Sequence, residues 1–439
     1  MFHLYDQTRR RIGLAAFFLL CLAPTAAVLG WCVAWRLPGH ARGQAESLSR
    51  QLGFDVAFDG LRHPRPGVVL YEGLKLSDPE TGQTVLRCRA LEATWTKTVE
   101  TQGKGRPAIV LVASQPEVEA SAADRLWQIA ERALRGQNGR PEPELRLAAG
   151  ELTIRAGEDS QTLTDVQAGI GISTGGTEAQ AAFRLAGTET RDPVRLRIER
   201  NRQVTPPRNR VELDTGGAEV PCRLLSLGLA ELAALGPSSR FCGMVRVDQT
   251  SEGWEGDARA QLLGVDFDGL VSERFPHKLS GMADIQVTRA HFSRGRLEEA
   301  AGTIAAGPGV VGQSLLDAAA LRLRMSRPSD SAAVPDLLPY TQLVLAFSLD
   351  GRGLRLEGRC ESAGPAALMA DGRTWLLRSE SAEPLPVVAL IQTLVPDNEI
   401  QVPATRQTDW LARRLPVPDV RQPRDAQRVP PHAPLRLRQ

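Results

Sequence analysis

The chain is poor in lysine, in aromatic residues and in clustered cysteine or histidine, and each shortage closes off a class of function. Lys75, Lys97, Lys104 and Lys278 are the only lysines against 49 arginines, and the formal net charge is +2. A chain so near neutrality has no overall electrostatic pull on nucleic acid, and no nucleic-acid partner is expected. Along the body of the chain the arginines are spread over strand-like stretches and alternate with apolar residues, a bias that reads as genomic base composition. Aromatics make up only 5% of the residues while glycine and proline number 40 and 30, so large core anchors are scarce and turns are frequent. That balance favours many short strands over long helices.

The chemistry-bearing motifs are also missing. Of six cysteines, Cys21 and Cys32 fall in an apolar N-terminal run, and Cys88, Cys222, Cys242 and Cys360 form no CxxC pair, which argues against a thiolate metal site. A Cys222–Cys242 disulfide and buried free thiols are both open readings of the remainder. His3, His40, His63, His277, His291 and His432 include no HExxH or comparable ligand spacing, so catalytic zinc is not expected. There is no GxSxG elbow, Walker loop or GxGxxG; Gly169-Ile170-Gly171 lies in a strand pattern, where close packing explains glycine better than phosphate binding. Glu298-Glu299 and Asp266 with Asp268 are close carboxylates of the kind glycoside chemistry uses, but they read as solvated faces and turns. No catalytic, cofactor-binding or metal-binding residue is assigned, and a non-enzymatic protein without cofactor is expected.

What is present begins at the N-terminus. Ile12 to Trp35 is a run of 24 residues without a charged side chain, preceded by Arg9, Arg10 and Arg11. As a helix it spans roughly 36 Å, enough for a hydrocarbon core of about 30 Å. Ile12, Leu20, Leu29 and Trp35 mark the expected membrane anchor. The basic flank places residues 1–11 in the cytoplasm and residues 39–439 on the far side of a single-pass membrane segment. A cleaved signal peptide is the rival reading, given the small residues from Ala23 to Val28 and the break at Pro24, although its apolar stretch is normally only about 7 to 15 residues. Lipid attachment at Cys21 or Cys32 is disfavoured, because Leu20 and Trp31 stand where that pattern wants a small residue.

Beyond the anchor, His40 to Leu52 reads as an amphipathic helix ended by Gly53. Alternation then takes over: Phe54, Val56 and Phe58, then Val68 to Leu76, the turn from Ser77 to Gly82, and Thr84 to Trp95. Short strand pieces at 109–113 and 118–120 precede a helix expected near 121–136, with Leu126, Ile129, Ala130, Ala133 and Leu134 on one face, and a linker from Gly136 to Pro143. The segment 145–156 reads as a hairpin turning at Ala149-Gly150, followed by Val166 to Ile172. Further strands are expected at 181–185, 194–198, 211–213, 243–247, 253–263, 284–289, 296–305, 320–325, 342–349 and 354–359, with a second helix over 222–235 and either helix or strand over 386–395. Pro403 to Gln439 holds seven prolines, eight arginines and three aspartates and is expected to be a disordered tail. An electrostatic contact of that tail with anionic lipid or an acidic polymer is a sharper alternative. The fold class is therefore mainly β with a few inserted helices, an extracytoplasmic β-rich region over 39–402 behind a single transmembrane helix.

These strands carry a resemblance. Residues 53–95 (GFDVAFDGLRHPRPGVVLYEGLKLSDPETGQTVLRCRALEATW), behind an anchor and a short helix, resemble the start of the AsmA-like family of envelope proteins, with an opening strand, a strand to a "DP" turn and a returning strand. LRLAAGELTIRAGEDSQTLTDVQAGIGI at 145–172 is similar to the recurring G-x-L-x-I … L-x-D-V hairpin of that family. SLGLAELAALGPSSRFCGMVRVDQTSEGWEGDARAQLLGVDFDGLV at 226–271 resembles its later helix, F-x-G-x-V strand and meander. Together the matches cover most of residues 12–325. The resemblance implies an elongated, twisted antiparallel sheet with one greasy concave face, related to bridge-like lipid-transfer grooves. It also implies work in envelope biogenesis or lipid movement at the inner membrane, with the bulk of the chain periplasmic.

The residues point to the same face. An open sheet must cover its apolar side or use it, since apolar patches beyond a few hundred Å² mark interaction sites. Leu145, Leu147, Leu152 and Ile154 are expected on that side, with Arg146, Thr153 and Arg155 opposite. The expected partners are the lipid bilayer, a lipid cargo and other envelope proteins. The competing function is a bitopic scaffold whose β-region binds proteins, its apolar face closed by the inserted helices and a second sheet into an ordinary core.

Overall fold

The computed structural model describes residues 6–34, 38–98, 106–122, 125, 127–128, 131, 144–172, 176–226, 229–328, 335–380, 383–395 and 414–415. The chain is mainly β, with few helices, and divides into two compact units, Met1–Gly171 and Ile172–Gln439. The tail expected over 403–439 lies outside the described residues apart from 414–415, as does most of the helix expected at 121–136.

The N-terminal run is helical from Asp6 to Phe17 and from Ala23 to Ala34, joined by a π-helical turn, Phe18–Leu22. Pro24 accounts for the widened turn. It has no N–H to give and its ring would strike the carbonyl four residues back, so the backbone opens ahead of it. The Thr25 hydroxyl donates to the Cys21 carbonyl at 2.6 Å, satisfying one acceptor near the break. Gly13–Gly30 is long and apolar enough to cross a membrane, with a mean hydropathy of 2.1 and none of that window buried, a property shared by membrane anchors and signal sequences. Leu20 and Leu29 are exposed; Trp35 is outside the described residues, and so is the side chain of Ile12.

A second helix, Pro38–Leu52, ends at Gly53, whose φ of 75° and N–H to the Ser49 carbonyl at 2.8 Å close it. In the first unit the strands are β1 (Asp55–Ala57), β2 (Gly60–Arg65), β3 (Val68–Ser77), β4 (Thr84–Thr98), β5 (Arg106–Glu119), β6 (Glu144–Ala156) and β7 (Asp159–Ile172). β1 and β2 both pair with β3, and the order continues β3–β4–β5–β6–β7. The expected all-antiparallel sheet is corrected at one place: β5 and β6 run parallel, because the connection over 120–143 is long enough to cross over and re-enter in the same direction.

The hairpin expected within 145–156 is also corrected. β6 runs unbroken through Gly150, and the reversal comes later, at Gly157, whose φ is 67°. A two-residue hairpin turn needs positive φ at its centre, and Gly150 does not adopt it.

In the second unit the strands are β8 (Gly176–Leu185), β9 (Val194–Asn201), β10 (Arg208–Asp214), β11 (Val220–Pro221), β12 (Arg240–Thr250), β13 (Gly253–Asp266), β14 (Met282–Ser293), β15 (Arg296–Ala306), β16 (Gly309–Gly312), β17 (Met325–Ser326), β18 (Leu337–Tyr340), β19 (Gln342–Asp350), β20 (Gly353–Gly358), β21 (Ala367–Asp371) and β22 (Thr374–Ser379). An antiparallel meander links β8, β9, β10, β12, β13, β14, β15 and β19, after which β19 pairs with both β20 and β21. β16 and β18 form a separate two-stranded ladder.

Two expectations change here, and one open alternative resolves to helix. The helix over 222–235 is two short pieces, α-helical Cys222–Leu225 and 3-10-helical Ala230–Leu235. Of the strand expected at 320–325, the first half belongs to the helix Gln313–Arg322, whose sequence QSLLDAAALR is rich in leucine and alanine, the strongest helix formers, and only Met325 is in a strand. Residues 386–395, ambiguous by pattern, contain the helix Val387–Leu394.

Candidate functional site

Cross-strand partners share a face of a sheet, so the register identifies what each side presents. In the first unit one row reads Tyr71, Leu91, Ala113, Ala149, Val166; another reads Leu76, Leu86, Val118, Ile154, Gln161. A third, Trp95, Ile109, Leu145, Ile170, and a fourth, Val69, Ala93, Leu111, Leu147, Ala168, are apolar throughout. Leu152 pairs with Leu163.

Simple alternation would send Leu145 and Leu147 to one side and Leu152 and Ile154 to the other, but the burial does not follow simple alternation. On β3 Tyr71 and Leu74 are both buried, as are Ala113 and Pro116 on β5 and Leu163 and Val166 on β7, each pair three positions apart, while Val68, Leu76 and Ala108 are buried further along the strands. Between the members of these pairs stand Gly73, Gln115 and Asp165, with φ of 64°, 49° and 51°. A left-handed residue inside a strand shifts which way the following side chains point, and here the shift occurs in register across the sheet. On β6, Leu145 pairs with Ile170, Leu147 with Ala168, Leu152 with Leu163 and Ile154 with Gln161. On this side of the sheet Tyr71, Leu74, Leu76, Ala93, Ala113 and Val166 are buried, as is Leu163, the partner of Leu152, whereas Leu145, Leu147, Leu152 and Ile154 are themselves half-buried. Trp95, at its end, is exposed.

The second unit separates its faces in the same way. Rows such as Ala181, Leu196, Leu213, Val245, Ala258, Ala290, Ala300, Leu349, Leu354 are wholly apolar. The reverse side carries a ladder of ion pairs: Arg197 Nε to Glu178 Oε1 at 2.8 Å, Arg210 Nε to Asp248 Oδ1 at 2.8 Å, Arg246 Nε to Glu212 Oε1 at 2.7 Å, and Arg289 with Glu299. Exposed pairs of this kind contribute about 0–1 kcal/mol each. They keep the arginines solvated on the polar side and so explain why arginine alternates with apolar residues along these strands.

From Val265 onward the apolar face is closed. The helices Gln313–Arg322 and Val387–Leu394 supply Leu316, Ala319, Val387 and Ala389 to one cluster with Val265, Ala283, Ala306, Leu343, Leu349 and Met369. His277, which sequence spacing tested only as a metal ligand, braces this roof. Its Nε2 donates to the Thr393 carbonyl at 2.8 Å and its Nδ1 accepts from the Ser314 hydroxyl at 3.0 Å, tying both helices together. No sequence pattern would have marked that role, because the partners are 37 and 116 residues away.

The remaining reactive groups are structural. Cys88, Cys222 and Cys360 are buried free thiols, and Cys242 is free and half-buried, so the Cys222–Cys242 disulfide is not formed. Burial pushes the Cys88, Cys222 and Cys360 thiols up, which disfavours the nucleophilic thiolate. Among the described residues no group of three or more His, Cys, Asp or Glu is arranged to hold a metal ion. No family model, curated protein or solved structure matches the chain.

Proposed function

We propose that the chain is a membrane-anchored, non-enzymatic β-groove protein that handles lipid acyl chains in envelope biogenesis, as its resemblance to the AsmA-like family implies. The observation that carries this reading is the run of apolar cross-strand rows over β3 to β7, buried at their centre and left half-buried at Leu145, Leu147, Leu152 and Ile154. Strands there are long, 10 to 15 residues, so the rows extend well beyond what a turn-bounded core needs. A half-covered row of leucine, isoleucine and valine offers no hydrogen-bond donors and suits methylene chains, each buried CH2 contributing about 0.8 kcal/mol. In this reading the N-terminal helix is retained with its N-terminus in the cytoplasm, and the β-units work on the periplasmic side of the inner membrane.

Native mass spectrometry of the detergent-extracted full chain tests it: co-purified lipid is expected, displaced in Ile154→Asp while the fold is retained. A lipid-free wild type that also fails to take up a fluorescent fatty acid would move the assignment to a protein-binding scaffold. Carbonate extraction that releases the mature chain in soluble form would remove the anchor from the proposal.

A further inference from the structure

The polar side of the first unit holds a cavity of about 410 Å³, lined among others by Asp59, Lys75, Arg87, Arg89, Gln115 and Glu117. Its charge arrangement departs from the rest of the molecule. In the second unit, Glu178 and Glu199 stand opposite each other in the register, but Arg197 bridges to both. In the cavity Lys75 and Arg87 are direct cross-strand partners, two cations facing each other, a juxtaposition that destabilises a sheet when nothing compensates it. The next residue in that row, Glu117, is the carboxylate that would compensate, yet it is engaged by Arg155 at 3.2 Å. Lys75, Arg87 and Arg89 have no ion-pair or hydrogen-bond partner among the described residues. The strand pairing is interrupted alongside them, at Gly73, Arg89 and Gln115, where the left-handed residues of β3 and β5 lie. Asp59 approaches Gly73 so closely that a Cβ there would lie 2.0 Å from Oδ2.

We propose that this cavity binds a phosphoryl group. Three cations and one uncommitted carboxylate, Asp59, leave a local excess of two positive charges, which a phosphomonoester dianion matches. Two guanidinium forks can each present paired N–H donors to phosphate oxygens, and the ammonium adds a point charge. The same chemistry serves the headgroup of an anionic phospholipid and a soluble phosphomonoester. The site is on the opposite side of the sheet from the acyl-chain face, so it stands or falls separately from the lipid-groove reading.

The test uses the detergent-solubilised full chain and calorimetric titration with three probes: inorganic phosphate, sn-glycerol 3-phosphate and dihexanoyl phosphatidic acid below its micellar concentration. Saturable binding is expected, weakened about tenfold by Arg87→Gln or Lys75→Gln, the loss of one charge-assisted contact, and unchanged by Arg355→Gln, an exposed arginine on β20. Ile154→Asp should leave glycerol phosphate binding intact. Phosphatidic acid bound more than tenfold tighter than glycerol phosphate identifies a lipid headgroup as the source; equal affinities identify a soluble ligand. Failure of all three probes to bind overturns the proposal, as does an Arg355→Gln effect as large as that of Arg87→Gln. Without anion, Arg87→Gln should melt no lower than Arg355→Gln. A larger drop would mark the cations as structural and would also overturn the proposal.

Discussion

In the region from Val265 to Ala389 the apolar side of the sheet is roofed by two helices, whereas between Ile109 and Ile170 the same kind of side is buried only along its central rows. The two regions share a strand grammar: apolar residues on one side, arginine and carboxylates on the other, bulges and left-handed residues where the phase must change. What separates them is the covering. Leu316 and Ala319 from one helix and Val387 and Ala389 from another enter the closed cluster, and His277 locks those helices to each other by two hydrogen bonds. Two pieces of one chain thus show that closing an apolar face takes a dedicated layer, and that half-covered rows can coexist with strong alternation.

The largest effect expected from this contrast comes from placing a carboxylate in each region. Leu316 is 1% exposed, and Leu316→Asp buries an unpaired charge at a cost of several kcal/mol, a large fraction of a domain's stability. Loss of the cooperative melt of the second unit is expected by calorimetry. Ile154→Asp, on a half-buried row, should retain a melt close to wild type by circular dichroism. Equal collapse of both variants would erase the distinction and make the first face a closed core.

A smaller step sharpens the closed side. Tyr340 is fully buried and donates its hydroxyl to the Ser280 carbonyl at 2.7 Å. Tyr340→Phe strands that carbonyl and should cost about 1–3 kcal/mol. Burial also pushes the phenol from an ordinary 10 up to about 12. Because the folded-state value is raised, the associated stability is fully present below about pH 10 and is lost as pH rises through about 12. Chemical denaturation between those two pH values should show an alkaline loss in the wild type that Tyr340→Phe lacks.

Much of this was legible in the residues, and the failures have identifiable causes. Period-two apolar patterns mark β3, β4 and the long strands of the second unit from β8 to β20, but not the short β11, β16 and β18 or the late pair β21 and β22. The phase change near Ala149-Gly150 was mistaken for a reversal, because a glycine between two alternating runs looks the same in sequence whether the chain turns or passes straight on. The parallel pairing of β5 with β6 was invisible, since alternation carries no information on strand direction. Within the expected strand 320–325 the apolar positions fit either period, and the roof over the sheet takes 320–322 into the helix while Met325 stays in a strand. The cation cavity was missed altogether: Lys75, Arg87 and Arg89 look like ordinary polar-face residues until the register sets the first two opposite each other.

The switch of phase itself can be probed with effects of about 1 kcal/mol. Gln115 holds a φ of 49°, a region that costs a non-glycine residue roughly 1–2 kcal/mol. Gln115→Gly should leave stability unchanged or raise it by up to about 1 kcal/mol, while Gln115→Val, β-branched and intolerant of positive φ, should lower it. Stabilisation by valine would mean that the residue is free to return to an extended conformation, and the register-wide shift that gathers the apolar face would lose its basis.

The smallest expected effect lies at the edge of the half-covered region, in the turn after β3. Asp78 is buried and organises that turn: the Glu80 N–H donates to Oδ1 at 3.1 Å, the Thr81 hydroxyl to Oδ2 at 3.0 Å, and Arg125 Nε lies 3.7 Å from Oδ2. The Glu80 N–H, followed by the Thr81 hydroxyl and the Arg125 charge, holds the carboxyl below its ordinary 3.8 against the opposing effect of burial. A depressed folded-state value means that the stabilisation is present above the ordinary carboxylate range and is lost as pH falls through the lower folded value. Arg125 also pairs with Glu80, so the same arginine fastens the start of the 120–143 connection to this turn. Asp78→Asn keeps the acceptor for Glu80 but removes the charge. It should therefore leave the neutral-pH fold intact, lower its melting temperature slightly, and flatten the decline in melting temperature between pH 5 and pH 2. If the variant's acid profile overlays the wild type, Asp78 contributes nothing to acid sensitivity. The tie from Arg125 would then rest on Glu80 alone, and Glu80→Gln should abolish it.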